Sequence, residues 1–241
     1  MTLQDPLIRK ADMHVHTPCS VCYSEKDVKP EEIIEAALDS GLDMMVVADH
    51  NSASGLEDIR RAAGTNIRIF PAVEVTTKNG HFLAVFDIDK NVKDIEAFLD
   101  FIGIDPEGQG DAHTVAADET LVTLQKIHEC GGLAIAAHID RWPSGFLESK
   151  TTRRNKRNIH ESEYLDALEI TIPDTRQAWQ NGETRDYPMK RACFQGSDAH
   201  KPDEIGRRSV YIRMETINLD CLKQAIRNYT ADIYFPDDIS L

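Results

Sequence analysis

The chain has 241 residues, and 27 Lys and Arg stand against 41 Asp and Glu, which gives a formal net charge of −14 and a pI near 5.0. The apolar fraction of 41% is typical of a protein with a full core, while the acidic charge argues against general nucleic-acid binding, which depends on Lys and Arg contacts to phosphates. Because no apolar run approaches the roughly 20 residues that span a bilayer, and residues 1–12 lack the layout of a signal peptide, we expect a cytoplasmic protein without membrane contact.

Strand and helix patterns alternate along the chain. The first strand ends at residues 13–16 (MHVH), and the first helix begins at Pro30 and ends before Gly41. Further strands are predicted at 44–48, 67–75, 81–86, 133–138, 167–171, 192–198 and 210–214, and further helices at 53–63, 91–102, 116–130 and 216–228. Apolar strands separated by helices favour a parallel α/β sheet, either closed into a barrel or doubly wound. We interpret residues 1–241 as one domain, with 103–115 and 140–162 as loop or insert segments.

One segment departs from the acidic background. Five of the eight residues from Lys150 to Arg157 are basic, and the run lies within the predicted loop 140–162. It is either a solvated loop or a mobile arm that attracts an anionic substrate, in which case Arg153 and Arg154 would contact that substrate.

Histidines and carboxylates gather where the predicted strands end. His14 and His16 lie two residues apart and therefore on one face of the first strand. The other residues at strand ends are Asp49, His50, Glu74, His81, His138, Asp198 and His200. The carboxyl ends of parallel strands share one rim of a sheet or barrel, so these side chains are expected to meet there. His81 begins a strand and reaches that rim only through a tight turn.

This set of side chains predicts a metal centre. Imidazole and carboxylate together suit zinc, manganese or iron. One zinc ion takes about three protein ligands, so nine candidates indicate two or three divalent ions. Glu74 is the natural bridge of a metal pair, which would hold a hydroxide, clamp phosphoryl oxygens and need no Ser or Cys nucleophile. We interpret the remaining histidines, His113, His128 and His160, as structural or surface residues.

Six motifs resemble, in their order, those of the PHP (polymerase and histidinol phosphatase) family. They are ADMHVHT, VVADHNSASG, PAVEVTT, GHFLAVF, LAIAAHIDR and FQGSDAH, and they run from about residue 11 to residue 206. The resemblance implies a distorted (β/α)7-type barrel, the PHP fold, in a stand-alone branch without polymerase or other fused domains.

The resemblance also implies an assignment of the ligands. It places His14, His16, Glu74 and Asp198 around a first metal, Glu74 as the bridge to a second metal held by His81 and His138, and His50 and His200 at a third. Asp49 would either ligate a metal or orient a ligand. Many relatives have a further His or Asp after the HxH motif, where this chain has Cys19, Ser20 and Cys22. A cysteine could ligate zinc there, or the third site could be weakened or empty.

The leading hypothesis is a metal-dependent phosphoesterase that hydrolyses a phosphomonoester or small phosphodiester by attack of a metal-bound hydroxide. Its catalytic residues would be Glu74, Asp198, His200 and Arg141, with Arg141 also binding the substrate phosphate. The expected partner is a small phosphorylated anion, and nucleic acid is not expected. Alternatives are a nuclease on nucleic-acid ends, an amidohydrolase-type metal hydrolase and, less favoured, a non-catalytic metal-binding regulatory domain. The sequence does not fix the substrate, the native metal or the oligomeric state.

Overall fold

The computed structural model describes residue 5 and residues 7–239. The prediction made on residues 1–12 therefore lies partly outside the described residues. Within the described range, none of the helices combines the length and the apolar character needed to cross a membrane.

One nine-stranded sheet organises the described residues. Its strands are β1 (Ile8–Val15), β2 (Met44–His50), β3 (Arg68–Thr77), β4 (Gly80–Val85), β5 (Leu133–Ala136), β6 (Ala167–Glu169), β7 (Ala192–Phe194), β8 (Val210–Arg213) and β9 (Ile233–Tyr234). They lie side by side in the order β7-β6-β5-β4-β3-β2-β1-β8-β9.

The helices cover the sheet between the strands. They are α1 (Pro30–Asp39), α2 (Leu56–Ala63), α3 (Val92–Phe101), α4 (Thr120–Glu129), α5 (Arg153–Glu161), α6 (Arg176–Asn181), α7 (Leu219–Arg227) and α8 (Tyr229–Asp232). Pro30 opens α1 at a position where no backbone N–H is needed, and the Asn91 side chain caps α3 by accepting from the backbone N–H groups of Lys93 and Asp94. The five helices predicted from the sequence are confirmed, with shorter ends.

The sheet curls into a nearly closed barrel because β1 has different neighbours at its two ends. Residues 8–11 of β1 pair with β8 in antiparallel fashion. At the other end, Val15 pairs in parallel with Ala199, beyond β7, and the Asp198 N–H donates to the His14 carbonyl at 2.8 Å. We call this contact between the end of β1 and residues 198–199 the seam. The barrel predicted from the sequence is confirmed.

The prediction of a parallel sheet is wrong for β4 and β8, and β9, which pairs antiparallel with β8, is a strand that was not predicted. β4 pairs antiparallel with both β3 and β5, because only Lys78 and Asn79 separate β3 from β4 and such a short turn cannot carry a parallel crossover. Because β4 is antiparallel to β3 and β5, it begins at the rim where these two strands end. This direction explains how His81, near the start of a strand, reaches the rim.

His160 of α5 is a buried histidine outside the rim. Its ring is fully buried between Trp179 and Tyr187, with ring centroids 5.7 and 5.2 Å away, and neither nitrogen has a hydrogen-bond partner among the described residues. Burial, together with the nearby Arg191 guanidinium, lowers the pKa of His160 from 6.5 to about 4. The opposite case is His128, whose pKa is raised by the hydrogen bond to Asp166 at 2.9 Å.

We predict that His160→Phe makes the free energy of unfolding less dependent on pH. Between pH 6.5 and about 4 the unfolded chain binds a proton at His160 that the folded protein rejects, so this residue destabilises the fold as the pH falls through that window. Phenylalanine cannot take up the proton. Urea unfolding at pH 7 and pH 5 should show a smaller loss of stability in the variant than in the wild type, and an equal loss would contradict the assignment. His128→Phe serves as the control. The pKa of His128 is raised rather than lowered, so its removal should not reduce the loss of stability at pH 5.

Candidate metal centre

The predicted strand-end residues meet at one rim of the barrel. Eight of them face a common centre: His14, His16, His50, Glu74, His81, His138, Asp198 and His200. They come from the ends of β1 and β2, from within β3, from the start of β4 and from the segments that follow β5 and β7. His14 and Gly196, which are 182 positions apart in the sequence, are brought together by the seam, where a Cβ atom on Gly196 would lie 2.6 Å from the Cβ of His14. Only glycine permits this close approach.

The Glu74 carboxylate lies between two sets of imidazoles. Its Oε2 atom is 3.3 Å from His14 Nε2 and 3.2 Å from His16 Nε2. Its Oε1 atom is 2.8 Å from both His81 Nδ1 and His138 Nε2. The two oxygens of one buried carboxylate thus face the two ligand pairs that the resemblance assigns to a first and a second metal.

A first group of ligand atoms is complete on one side of Glu74. His14, His16, Glu74 and Asp198 each place one ligand atom within 4.8 Å of the others, and the distance from His16 Nε2 to Asp198 Oδ1 is 2.9 Å. Outside the group, Ser20 Oγ donates its proton to Asp49 and therefore accepts from His16 Nδ1 at 2.9 Å. The free lone pair of His16 is then at Nε2, directed towards the group.

Two further groups overlap the first. His50, Glu74 and His81 form one, and His16, His50 and His200 form the other. His200 Nδ1 lies 2.9 Å from the Asp198 carbonyl, which can only accept, so this nitrogen carries the proton and Nε2 carries the lone pair. Burial and the neighbouring histidines lower the pKa of His200 to about 3.

These residues fit divalent cations by an observation independent of the resemblance. His50 Nδ1, Glu74 Oε2 and Asp198 Oδ1 are buried and make no aligned hydrogen bond within residues 7–239, although His50 Nδ1 lies 2.9 Å from Glu74 Oε2 and Asp198 Oδ1 lies 2.9 Å from His16 Nε2. Buried polar atoms in this state are costly unless something else binds them. Burial disfavours charge at His14, but the Glu169 and Glu74 carboxylates outweigh it and raise the pKa of His14 to about 10. A cation would satisfy the unpaired atoms and displace that proton.

Asp49 lies outside these groups, in contrast to its prediction as a ligand. Its Oδ1 atom accepts from the Thr17 N–H at 2.8 Å and from Ser20 Oγ at 2.6 Å, and its Oδ2 atom accepts from Thr17 Oγ1 at 2.6 Å. Because both oxygens are engaged, Asp49 orients His16 through Ser20. This is the second of the two roles considered for it.

Glu169, at the end of β6, is a part of the site that the sequence analysis missed. It is buried, and its Oε2 atom lies 3.0 Å from His14 Nδ1 and accepts from the His138 N–H at 3.1 Å. The Nδ1 atom of His14 thus donates its proton to Glu169, and the Nε2 atom faces the centre. The available signal was a lone carboxylate at the end of a short buried strand, in line with the other strand-end acids.

We predict that Glu169→Gln weakens the binding of divalent metal ions by about 10–100-fold, the usual cost of losing an outer partner of a metal-binding histidine. The amide keeps the shape of the side chain but removes the charge that orients His14. Calorimetric titration of the metal-free protein with zinc would measure the change, with Glu161→Gln on α5 as a matched surface control. Unchanged zinc affinity in Glu169→Gln would contradict this role.

A cavity of about 580 Å³ opens beside the metal-binding groups. Arg141, Lys78 and Lys150 are the cationic residues of its wall, and His113, interpreted above as a structural or surface residue, also lines it. The Arg141 guanidinium donates to Asp198 Oδ2, which fixes its position at the edge of the centre.

The basic run has a different structure from the predicted loop. Residues 153–161 form α5, which corrects the loop prediction for that part of 140–162. The Arg153 guanidinium, 80% exposed, lies 3.5 Å from the Asp186 carboxylate, and Arg154 is exposed on the same helix. Among the residues that the structure describes, it is Lys150 rather than Arg153 or Arg154 that reaches the cavity wall.

The chain matches no protein-family model. An uncharacterized protein of Methanocaldococcus jannaschii is 26% identical to it over 140 residues, which are 54% of this chain and 67% of that protein.

Several solved structures share the fold over most of the chain. The lesion-specific endonuclease EndoQ of Pyrococcus furiosus matches 92% of this chain with a TM-score of 0.72 and 16% identity, and this chain spans 56% of its length. An Endonuclease Q in complex with a 27-mer duplex that carries an abasic lesion at the active site matches with a TM-score of 0.69 and 17% identity, over 92% of this chain and 57% of that one. These matches tell against the expectation that nucleic acid is not a partner. A nucleic acid therefore belongs among the substrates to be tested.

Two further structures cover most of this chain. A two-domain protein of Bacteroides vulgatus, containing a predicted PHP-like metal-dependent phosphoesterase, matches with a TM-score of 0.59 and 15% identity over 92% of this chain and 63% of that one. An amidohydrolase of Chromobacterium violaceum, solved with sulfate and no metal, matches with a TM-score of 0.58 and 17% identity over 94% and 98% of the two chains. In agreement with the order of its motifs, the chain has the fold of the PHP-like metal-dependent phosphoesterases.

Proposed function

We propose that this protein is a metal-dependent phosphoesterase that hydrolyses a phosphomonoester or a small phosphodiester. The observation that carries the proposal is the Glu74 carboxylate, whose two oxygens each face a separate set of imidazoles within 3.3 Å. A bridging carboxylate of this kind suits a pair of ions rather than a single one. Two divalent ions, when bound, supply an activated water molecule and neutralise the charge of the phosphoryl oxygens.

The residues of this chain would place the phosphate group. Arg141 is held by Asp198 through one N–H and has further N–H groups to donate to a phosphate oxygen. Lys78 and Lys150 lie further out on the cavity wall and would bind the rest of an anionic substrate. The wall carries three permanent cations, whereas its two carboxylates, Glu74 and Asp198, belong to the ligand groups. The cavity therefore favours an anion within a protein of net charge −14.

A nuclease is the second candidate function. The match to EndoQ favours it, because that protein shares the fold over 92% of this chain. The cationic residues of the cavity wall could equally contact the phosphates of a nucleic-acid strand. The overall acidic charge favours a small substrate over a long polyanion.

The test is a substrate comparison with one preparation of metal-loaded protein. Incubation with manganese or with zinc should release the phenol from an aryl phosphate or a bis-aryl phosphate, and a labelled oligonucleotide with free ends would report nuclease activity. An aryl amide serves as the test of the amidohydrolase alternative. Bound metal without turnover of any ester would contradict the proposal and favour a regulatory domain. Cleavage of the amide alone would favour the amidohydrolase.

A further inference from the structure

We propose that Cys22 is a metal ligand of this centre, completing with His50 and His200 a third cation site that selects a thiophilic ion such as zinc. The inference rests on the proposed metal centre, but not on the substrate. It assigns a role to the loop between β1 and α1, in which the usual His or Asp is replaced.

The orientation of His200 places a lone pair beside Cys22. Its Nδ1 donates to the Asp198 carbonyl, so the lone pair is at Nε2, and Nε2 lies 3.0 Å from Cys22 Sγ. Zinc bonds of about 2.3 Å to sulfur and about 2.0 Å to nitrogen in a tetrahedral arrangement place the two ligand atoms roughly 3.6 Å apart. Cys22 is exposed, and a small rotation of its side chain would bring the 3.0 Å contact to that spacing.

The imidazole nitrogens of this group are too few for a third ion. His16 has Nδ1 against Ser20, and its Nε2 lies 2.9 Å from Asp198 Oδ1, so this ring belongs to the first group. Once His16 is assigned there, the group formed by His16, His50 and His200 retains two protein ligands. A zinc site that also binds substrate or water takes three. Cys22 supplies the missing one.

His50 is the second imidazole of the proposed site. This residue is 5% exposed, and its Nδ1 atom lies 2.9 Å from Glu74 Oε2 but makes no aligned hydrogen bond in the described part of the chain. It nevertheless lies within the set of three imidazoles, each with one ligand atom within 4.8 Å of the others. A buried imidazole that faces a carboxylate and two further imidazoles without an aligned hydrogen bond suits a cation beside it.

The loop that carries Cys22 is fixed to the strand that carries His50. The Val21 N–H donates to the Gly110 carbonyl at 2.7 Å, and the Gly110 N–H donates to the His50 carbonyl at 2.9 Å. Gly110 has a φ of +85°, and a Cβ atom there would lie 2.6 Å from the Cys19 carbonyl oxygen. The approach of the two segments therefore requires glycine, and it holds residues 19–22 beside the rim.

Binding of the ion to Cys22 exchanges a proton for the metal and needs no oxidant or reductant. When the ion binds, the S–H bond of Cys22 breaks, the proton passes to water or buffer, and a bond forms between sulfur and the metal. Thiolate and imidazole together favour zinc or ferrous iron over magnesium and manganese. The competing interpretation is a thiol that only donates a hydrogen bond to His200 and never binds a cation.

The experiment titrates the metal-free protein with cobalt(II) and records the near-ultraviolet absorption. A bond from thiolate to cobalt produces an intense charge-transfer band that imidazole and carboxylate ligands do not produce. We expect the band in the wild type and in Cys19→Ser, a matched control three residues away, and its loss in Cys22→Ser. Cys22→His should bind as many cobalt ions as the wild type without the band. Circular dichroism of each variant verifies the fold.

The outcomes separate this inference from the proposed function. Absence of the band from the wild type, or its persistence in Cys22→Ser, would overturn the assignment of Cys22, even if the protein hydrolysed phosphate esters. A band that depends on Cys22 in a protein that cleaves no ester would support the ligand assignment while contradicting the phosphoesterase. Alkylation gives a second readout: zinc should protect Cys22, but not Cys19, from iodoacetamide.

Discussion

Replacing Glu74 by Gln is expected to lower phosphate-ester hydrolysis by roughly 10²–10³-fold, the loss typical of removing one preorganised charge from a catalytic site. The carboxylate has atoms within 3.3 Å of His14, His16, His50, His81 and His138. Glutamine has the same shape, but it lacks the charge and offers only one oxygen, so it cannot serve two ions at once. Zinc titration should accordingly show fewer bound ions per chain than in the wild type.

The control for this variant is Glu57→Gln on α2, a 56% exposed carboxylate outside the ligand groups. Its activity and metal content should match those of the wild type. The prediction is contradicted if Glu74→Gln keeps both its full metal content and its activity. Loss of activity with unchanged metal content would instead assign Glu74 a role in the reaction rather than in bridging.

Asp198→Asn is expected to lower activity by roughly 10²-fold or more, again through the loss of one buried charge, while the protein stays folded. Asp198 Oδ1 lies 2.9 Å from His16 Nε2, and its other oxygen accepts from Arg141. The residue has a φ of +49°, in the left-handed region, which asparagine tolerates as well as aspartate does. The substitution therefore tests the charge without adding backbone strain.

The measurement for Asp198→Asn combines steady-state kinetics with thermal unfolding. Asp203→Asn, a 71% exposed carboxylate five residues later, is the matched control. Activity equal to that of the wild type would contradict the assignment of Asp198 to the first metal group. A large fall in melting temperature of the metal-free variant would show that the residue acts mainly on the fold.

The rim could be predicted from the sequence because short-range spacing determines it. Two histidines separated by one residue in a strand must share a face, and a carboxylate or imidazole at the end of a buried strand has little else to bond with. The directions of the strands could not be predicted in this way. The reversal of β4 depends on the two-residue connection after β3, and the seam depends on contacts between residues about 185 positions apart.

The errors at the site have a common physical cause. Asp49 ends a strand as the residues of the candidate ligand groups do, but Thr17 and Ser20 engage both of its oxygens, and this pairing is visible only in three dimensions. Glu169 acts through His14, from a strand about 155 residues away. Periodicity shows which residues face inward, whereas it does not show which inward-facing polar group bonds to which.

The seam couples two processes that are usually separate. The residues that close the barrel against β1 are adjacent to, or identical with, Asp198 and His200, which complete the ligand groups. Ions bound by these groups would require the closed arrangement, so by mass action part of their binding free energy would appear as resistance of the barrel to opening. In thermodynamic terms, barrel closure and metal occupancy form a single linked equilibrium.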